Sequence, residues 1–252
     1  MTSPFVRKLR QGAQLSTEDE ILLMGLSRSL HYAEARHDIY SEGDRPGSLT
    51  LILKGWACRD KILENGQRQI IAFFLPGDLC EPFGILPPFM NHSITALTPV
   101  TYARLRPDEL RAMAQENSSI EQALWWDALA AMELQHEHVV SLGRRQAVER
   151  LGHLFCELHM RLAVVGLADR TGFSLPVTQQ ELGDALGLSA VHVNRSLREL
   201  RSLGFVNLRH RRLDLLDLNA LKEFSLFDPA YLRFNGQPLH DGAWSAPSAV
   251  ER

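Results

Sequence analysis

The sequence predicts an α+β fold: an N-terminal β-roll (jelly roll), a long central helix and a C-terminal winged helix-turn-helix. Three observations predict it. Short apolar runs broken by Gly43, Gly47, Gly55, Asn65-Gly66 and Pro76-Gly77 fill residues 31–105. A helical period of apolar residues takes over after Pro107. Two short amphipathic segments joined through Gly187 then precede a basic hairpin. Regularly spaced turns are what a small antiparallel barrel or jelly roll requires, and two helices joined by a short Gly-containing turn describe a helix-turn-helix.

The elements can be read in order. Residues 1–30 form a helical lead-in, with Leu15 ahead of a Ser16/Thr17 cap, acids Glu18 to Glu20 in the first turn and apolar Ile21, Leu22, Leu23 and Leu26, ending near Ser29. Asn65-Gly66 is the best hairpin signal and predicts a type I′ turn, whose two central residues need positive φ. From residue 120 to residue 142, Ile120, Leu124, Ala128, Ala131, Gln135, His138 and Leu142 recur three and four apart. A helix of that length spans ~33 Å, more than a small barrel covers. The stripe of Leu124, Ala128, Ala131, Gln135 and His138 is therefore expected to pair with a second copy of the chain, its alanines allowing close approach; the alternative is that it packs on the chain's own barrel. Trp125 and Trp126 are expected to pack the helix on the barrel. Gly143 should end this helix, and another begins at Arg144. The domains read as residues 1–118 (β-roll sensor), 119–143 (dimerisation helix), 144–226 (winged helix-turn-helix) and 227–252 (a flexible tail rich in Pro, Gly, Ser and Ala).

Composition narrows the function. The 252 residues are 45% hydrophobic and 23% charged, an ordinary globular balance. The longest apolar run, residues 70–75, is far short of the ~20 needed to cross a bilayer, and no signal core follows the basic N-terminus. The expectation is a cytoplasmic protein with no membrane partner. Cys58, Cys80 and Cys156 are odd in number and widely spaced, which predicts neither a disulfide framework nor a zinc knuckle.

The net charge of -3 is unevenly spread. Residues 143–217 carry 11 Arg and no Lys against 8 acids, and residues 189–212 carry six Arg against Glu199 alone, +5 over 24 residues. Such a stretch is either an anion-facing surface or a solvated helix face. The segment that holds it decides for the first. Thr178-Gln179-Gln180-Glu181 is a capping box that starts a helix. Gly187 stops it, and Ser189 caps a second helix with Val193, Leu197 and Leu200 on one side and His192, Arg195 and Arg198 off that side. A recognition helix places its N-terminal residues against base edges, and the Arg fork matches N7 and O6 of guanine. Arg195 is the first candidate reader, with a phosphate clamp as its alternative; Asn194, His192 and Ala190 complete the base-reading set. Thr178, Gln179, Gln180, Ser189 and Arg198 suit the phosphate backbone. Arg209, Arg211 and Arg212, in a hairpin wing, would add sequence-independent attraction. The implied partner is double-stranded DNA with a palindromic site.

The Gly-punctuated β-roll with Glu42-Gly43-Asp44, Leu53-x-Gly55 and Leu75-Pro76-Gly77-Asp78, followed by a long helix and by Thr178-x2-Glu181-Leu182-Gly183, Gly187-Leu188-Ser189 and Val193-Asn194-Arg195, resembles the CRP/FNR family of bacterial transcription regulators over residues 15–225. The resemblance implies a cyclic-nucleotide-binding-like β-roll, a homodimer joined along the central helices, a small-molecule effector, and contact with RNA polymerase. It places the effector pocket near Cys80, Glu81, Phe83, Gly84, His92 and Ser93. At those places Glu81-Pro82-Phe83 and His92-Ser93 replace the Gly-Glu-Leu and Arg-Ser/Thr of cyclic-nucleotide binders, and residues 1–57 lack the clustered cysteines of iron–sulfur members. Neither cyclic AMP nor an iron–sulfur cluster is expected, and the effector and any cofactor stay unknown. Cys80 is either a redox or haem-ligating residue or, as free cysteines usually are, a buried small hydrophobe. Val191 stands where many members carry a recognition-helix Glu, so the target sequence should differ from theirs.

His153-x2-Cys156-x2-His159 could begin a metal site, but a packed Cys with surface histidines is the plainer reading and no metal is expected. The alternatives to an effector-modulated regulator are a regulator with a vestigial β-roll and a cupin-like metal enzyme. No Gly-rich phosphate loop, nucleophile elbow or HExxH motif supports an enzyme.

Overall fold

The computed structural model describes residues 3–26, 29–81 and 85–234. Two helices open the chain. Ser3 caps α1 (Pro4–Leu9), which buries Phe5, Val6 and Leu9, and Ser16 caps α2 (Thr17–Gly25) in a reciprocal box with Asp19. Only the second was anticipated as a distinct helix.

The β-roll consists of β1 (Leu30–Ala33), β2 (Asp38–Tyr40), β3 (Leu49–Lys54), β4 (Ala57–Ile62), β5 (Arg68–Phe74), β6 (Ser93–Ala96) and β7 (Val100–Leu105). They form two antiparallel sheets, ordered β1-β7-β3 and β2-β6-β4-β5. Ile52, Ala57, Phe74, Ile94, Ala96 and Val100 fill the space between them. The β4–β5 turn departs from the expected type I′: Gly66 has φ +80°, whereas Asn65 is not in the left-handed region. The Asn65 side chain instead accepts from Gln67 N at 3.0 Å, a local bond that Asn makes readily in turns.

Two helices leave the roll, α3 (Pro107–Glu116) and α4 (Ser118–Arg144). Gly143 lies inside α4 rather than ending it, since one glycine costs a helix only ~1 kcal/mol. Ile120, Ala123 and Leu124 bury the start of α4 against α1, α2 and the β3/β7 sheet.

The C-terminal unit comprises α5 (Ala147–Val164), the short β8 (Ala168–Asp169) and β9 (Gly172–Ser174), α6 (Gln179–Leu186), α7 (Ala190–Ser202), β10 (Val206–Arg209), β11 (Arg212–Leu215) and α8 (Leu218–Phe224). Its sheet runs β10-β11-β9-β8, so the wing hairpin is backed by a second hairpin. Its core around Leu151, Phe155, Leu182 and Leu197 is continuous with Trp56, Ile70 and Phe73 of the roll.

Residues 227–234, assigned to a flexible tail, are packed instead. Phe227 and Leu232 are buried, a 3-10 turn spans Pro229–Leu232, Tyr231 Oη donates to Glu157 at 3.1 Å, and Trp126 Nε1 donates to Arg233 O at 2.8 Å. Residues 235–252 lie outside the described part.

Candidate nucleic-acid interface

Local chemistry fixes the helix-turn-helix. Thr178 Oγ1 accepts from Glu181 N at 3.2 Å, and the Glu181 carboxylate accepts from Thr178 N at 2.6 Å. Gly187 ends α6 with φ +64° and ψ +36°, the left-handed conformation glycine adopts without a Cβ clash. A Cβ on Gly183 would stand 2.4 Å from Leu188 O, so only glycine lets the turn fold back on α6. Ser189 caps α7 by accepting from His192 N at 3.3 Å.

Val193, Ser196, Leu197 and Leu200 of α7 are buried, which fixes the direction of the opposite face. Arg195, Arg198 and His192 are exposed on it, as a groove-reading helix requires. Ala190 is half-buried. Asn194, expected among the base readers, is half-buried and donates to Gln179 Oε1 at 3.2 Å, so part of its hydrogen-bonding capacity already joins the two helices. Thr178 and Gln180 are exposed at the start of α6.

In the wing, His210 and Arg211 both have positive φ (+49° and +59°), so the type I′ turn predicted at Asn65-Gly66 occurs here instead, without Gly or Asn. This leaves Arg209 and Arg211 exposed at the tip. Arg212 departs from its expected phosphate role. Its guanidinium pairs with Asp169 at 2.9 Å and Asp214 at 3.0 Å and donates to Thr171 Oγ1 at 3.0 Å, so its charge is answered within the sheet. The Thr171 hydroxyl, with Arg212 beside it, holds Asp169 down to about 2.

The pairing stripe assigned to α4 is corrected. Leu124 is buried in the roll's core, while Ala131, Gln135 and His138 line a cavity of about 130 Å³ between α4, β5 and α5. Ala128 is half-buried at the edge of that face. They face inward because Asp127, on the same side, meets Lys8 of α1 at 2.6 Å. Lys8 also meets Asp78 at 2.6 Å, and Arg161 of α5 meets Asp78 at 2.8 Å. The outward face of α4 instead shows Trp125, Leu129, Met132, His136 and Val139.

Among the described residues, the effector candidates do not converge on one pocket. Cys80 lines the α4 cavity, whereas Ser93 lines a second cleft beside Asp38, Thr95 and Thr178. Phe83 and Gly84 lie outside the described residues. Burial pushes the Cys80 thiol well above its ordinary value, the behaviour of a cysteine packed as a small hydrophobe. Burial also raises Glu81 to about 7, although its carboxylate accepts from Thr50 N at 2.6 Å. His92 is lowered to about 4 by burial and by Arg59 and Lys61.

The histidines expected at the surface of α5 are buried too. His153 stacks on Tyr231 with ring centroids 5.7 Å apart, and His159 Nε2 lies 2.8 Å from Asp169 O. Among the described residues no cluster of three or more His, Cys, Asp or Glu could hold a metal, and no helix is long and apolar enough to cross a membrane.

Comparison with known proteins agrees with this architecture. Residues 30–117 match the Cyclic nucleotide-binding domain and residues 149–224 the Crp-like helix-turn-helix domain. The Nitrogen fixation regulation protein FixK of Rhizobium meliloti is 30% identical over 192 residues, covering 73% of this chain and 82% of its own. The Transcriptional activator protein FnrL of Cereibacter sphaeroides is 26% identical over 182 residues, covering 71% and 73%. The structure of FixK2 from Bradyrhizobium japonicum superposes with a TM-score of 0.68 at 25% identity, over 78% of this chain and 96% of that one. These relatives are regulators of transcription and not enzymes. With both domains matched in order and the α7 arginines exposed, the chain belongs to the CRP/FNR family of DNA-binding transcription regulators.

Proposed function

We propose that two copies of this chain pair along the outward face of α4 and together present two α7 helices to one palindromic operator in the cytoplasm, where they engage RNA polymerase. The observation that carries this reading is the spacing of Trp125, Leu129, Met132, His136, Val139 and Gly143, which alternates four and three residues. That is the 3.5-residue seam of a two-stranded coiled coil. Leu129, Met132 and Val139 are 42%, 46% and 69% exposed in the single chain, and a contiguous apolar stripe of this kind marks an association surface.

Base reading falls to Arg195, with His192 and Ala190 beside it. Phosphate contacts fall to Thr178, Gln179, Gln180, Ser189, Arg198, Arg209 and Arg211. A small effector is placed in the cavity between α4, β5 and α5 rather than in the Ser93 cleft, which is roomier at about 370 Å³ but borders only the roll and the start of the helix-turn-helix. A ligand there touches the roll, the pairing helix and the DNA-binding unit at once, the three parts a switch must move relative to one another.

The test is selection of bound sequences from random duplex DNA by the full chain, with and without cell metabolites. Enrichment of an inverted repeat whose half-sites lie about one helical turn apart, with affinity falling steeply in salt, is expected. Enrichment of a lone half-site, or of nothing, would overturn the reading.

A further inference from the structure

Val191 is the most exposed large hydrophobic side chain among the described residues, at 75%. Its direction is fixed by the helix. Successive residues turn by about 100° round the axis, so Val191 points almost directly away from the buried Val193, Ser196, Leu197 and Leu200, between the lines of Arg195 and Arg198. The other first-turn side chains lie to the flanks. Ala190 offers one methyl group, and the His192 ring is drawn back, its Nδ1 2.9 Å from Ser189 Oγ. Asn194 is engaged with Gln179. An isopropyl group therefore stands at the part of α7 that enters a groove deepest, on a face otherwise made of arginines.

We propose that Val191 reads the C5 methyl group of a thymine in each half-site, next to the base pair read by Arg195. This rests on α7 being the recognition helix. In the major groove the base edges present donors and acceptors, and the thymine methyl is the one apolar group among them. An isopropyl group pressed against a donor or acceptor strips its water and returns no hydrogen bond, which is unfavourable. Against a methyl group the same contact removes apolar surface from both sides. Val191 and Arg195 are four residues apart on one face, about 6 Å along the axis, or less than two base steps of ~3.4 Å. The thymine consequently falls one or two base pairs from the pair bound by Arg195.

Uracil keeps every hydrogen-bonding group of thymine and lacks only that methyl, so it isolates the contact. The affinity of the full chain is measured for its selected operator and for the same duplex with uracil at this position in both half-sites. The unaltered chain should lose about fourfold per half-site, the value of one buried methyl group. Uracil at thymines outside the reach of α7 should change nothing. Val191→Ala should bind both duplexes within about twofold of each other. Equal affinity of the unaltered chain for both duplexes overturns the proposal, as does a selected operator with no T·A pair within two base pairs of the Arg195 position, or undiminished uracil sensitivity in Val191→Ala. The decisive comparison changes only the DNA, so a poorly folded variant cannot obscure it. Tight operator binding without methyl dependence removes the Val191 claim alone; absence of any preferred duplex removes the recognition-helix reading beneath it.

Discussion

Asn194 Nδ2 donates to Gln179 Oε1 at 3.2 Å, tying the middle of the first turns of α7 to the start of α6. The bond fixes the crossing of two helices that both approach DNA, so it acts on geometry before it acts on sequence. Asn194→Ala should weaken binding by about 1 kcal/mol, the worth of one such bond, to a similar degree across operator variants. Competition binding with single-base variants checks this. A loss confined to one base pair would return Asn194 to the base readers.

The seam on α4 predicts what disperses the dimer. Met132→Glu places a carboxylate where two apolar side chains would meet, and each copy forfeits about 1.5–3 kcal/mol of burial. The dissociation constant of the dimer should rise by at least about a hundredfold, read by sedimentation equilibrium. Gln135→Glu, on the inward face, should leave it within about threefold. The reverse pattern would restore the stripe first assigned from the sequence.

Lys8, Asp78, Asp127 and Arg161 bring α1, the roll, α4 and α5 together in one buried group. Burial alone would push Asp78 up, but Lys8 and Arg161 outweigh it and hold its carboxyl below the usual range. A depressed carboxyl stabilises the fold above its unfolded value, ~3.9, and that stabilisation is lost as pH falls through the folded value. Arg161→Met should cost about 3–5 kcal/mol by leaving a buried carboxylate underpaired, and should move acid unfolding to higher pH. Urea unfolding at neutral pH and an acid titration read the two effects; a variant with unchanged acid midpoint would contradict them.

Glu81 carries the opposite sign. Its carboxyl is raised to about 7 by burial, so between ~4.3 and that value the folded chain holds a proton that the unfolded chain has released. Stability should decline across that window as pH rises, by at most about 4 kcal/mol, and Glu81→Gln should flatten the decline. An unchanged slope in the variant would show that Glu81 does not titrate there.

Features set by local chemistry were legible in the sequence. The Thr178/Glu181 box, the Gly187 stop and the Ser189 cap each depend on residues within a few positions, and all lie where the sequence puts them. The phase of α4 was not legible in this way. Two stripes satisfy the helical period, and the choice between them is made by Lys8, more than a hundred positions away, pairing with Asp127. A sequence signal existed nonetheless: both stripes alternate four and three residues, but the one with Trp125, Leu129, Met132 and Val139 has the larger apolar side chains. Phe227, Tyr231 and Leu232 likewise announced a packed segment, but the Pro- and Gly-rich residues after them dominated the composition. Arg212 looked identical to Arg209 and Arg211 until Asp169, from a hairpin too short to read in sequence, closed on it.

The most direct test of the whole account is the affinity of Arg195→Ala for the selected operator and for each of its single-base variants, at fixed salt. The account predicts a loss of about 1–3 kcal/mol on the operator and an erased preference at one base pair in each half-site, with the other positions still discriminated. A uniform loss across all variants would make Arg195 a phosphate clamp and contradict the assignment of α7 as the element that reads sequence.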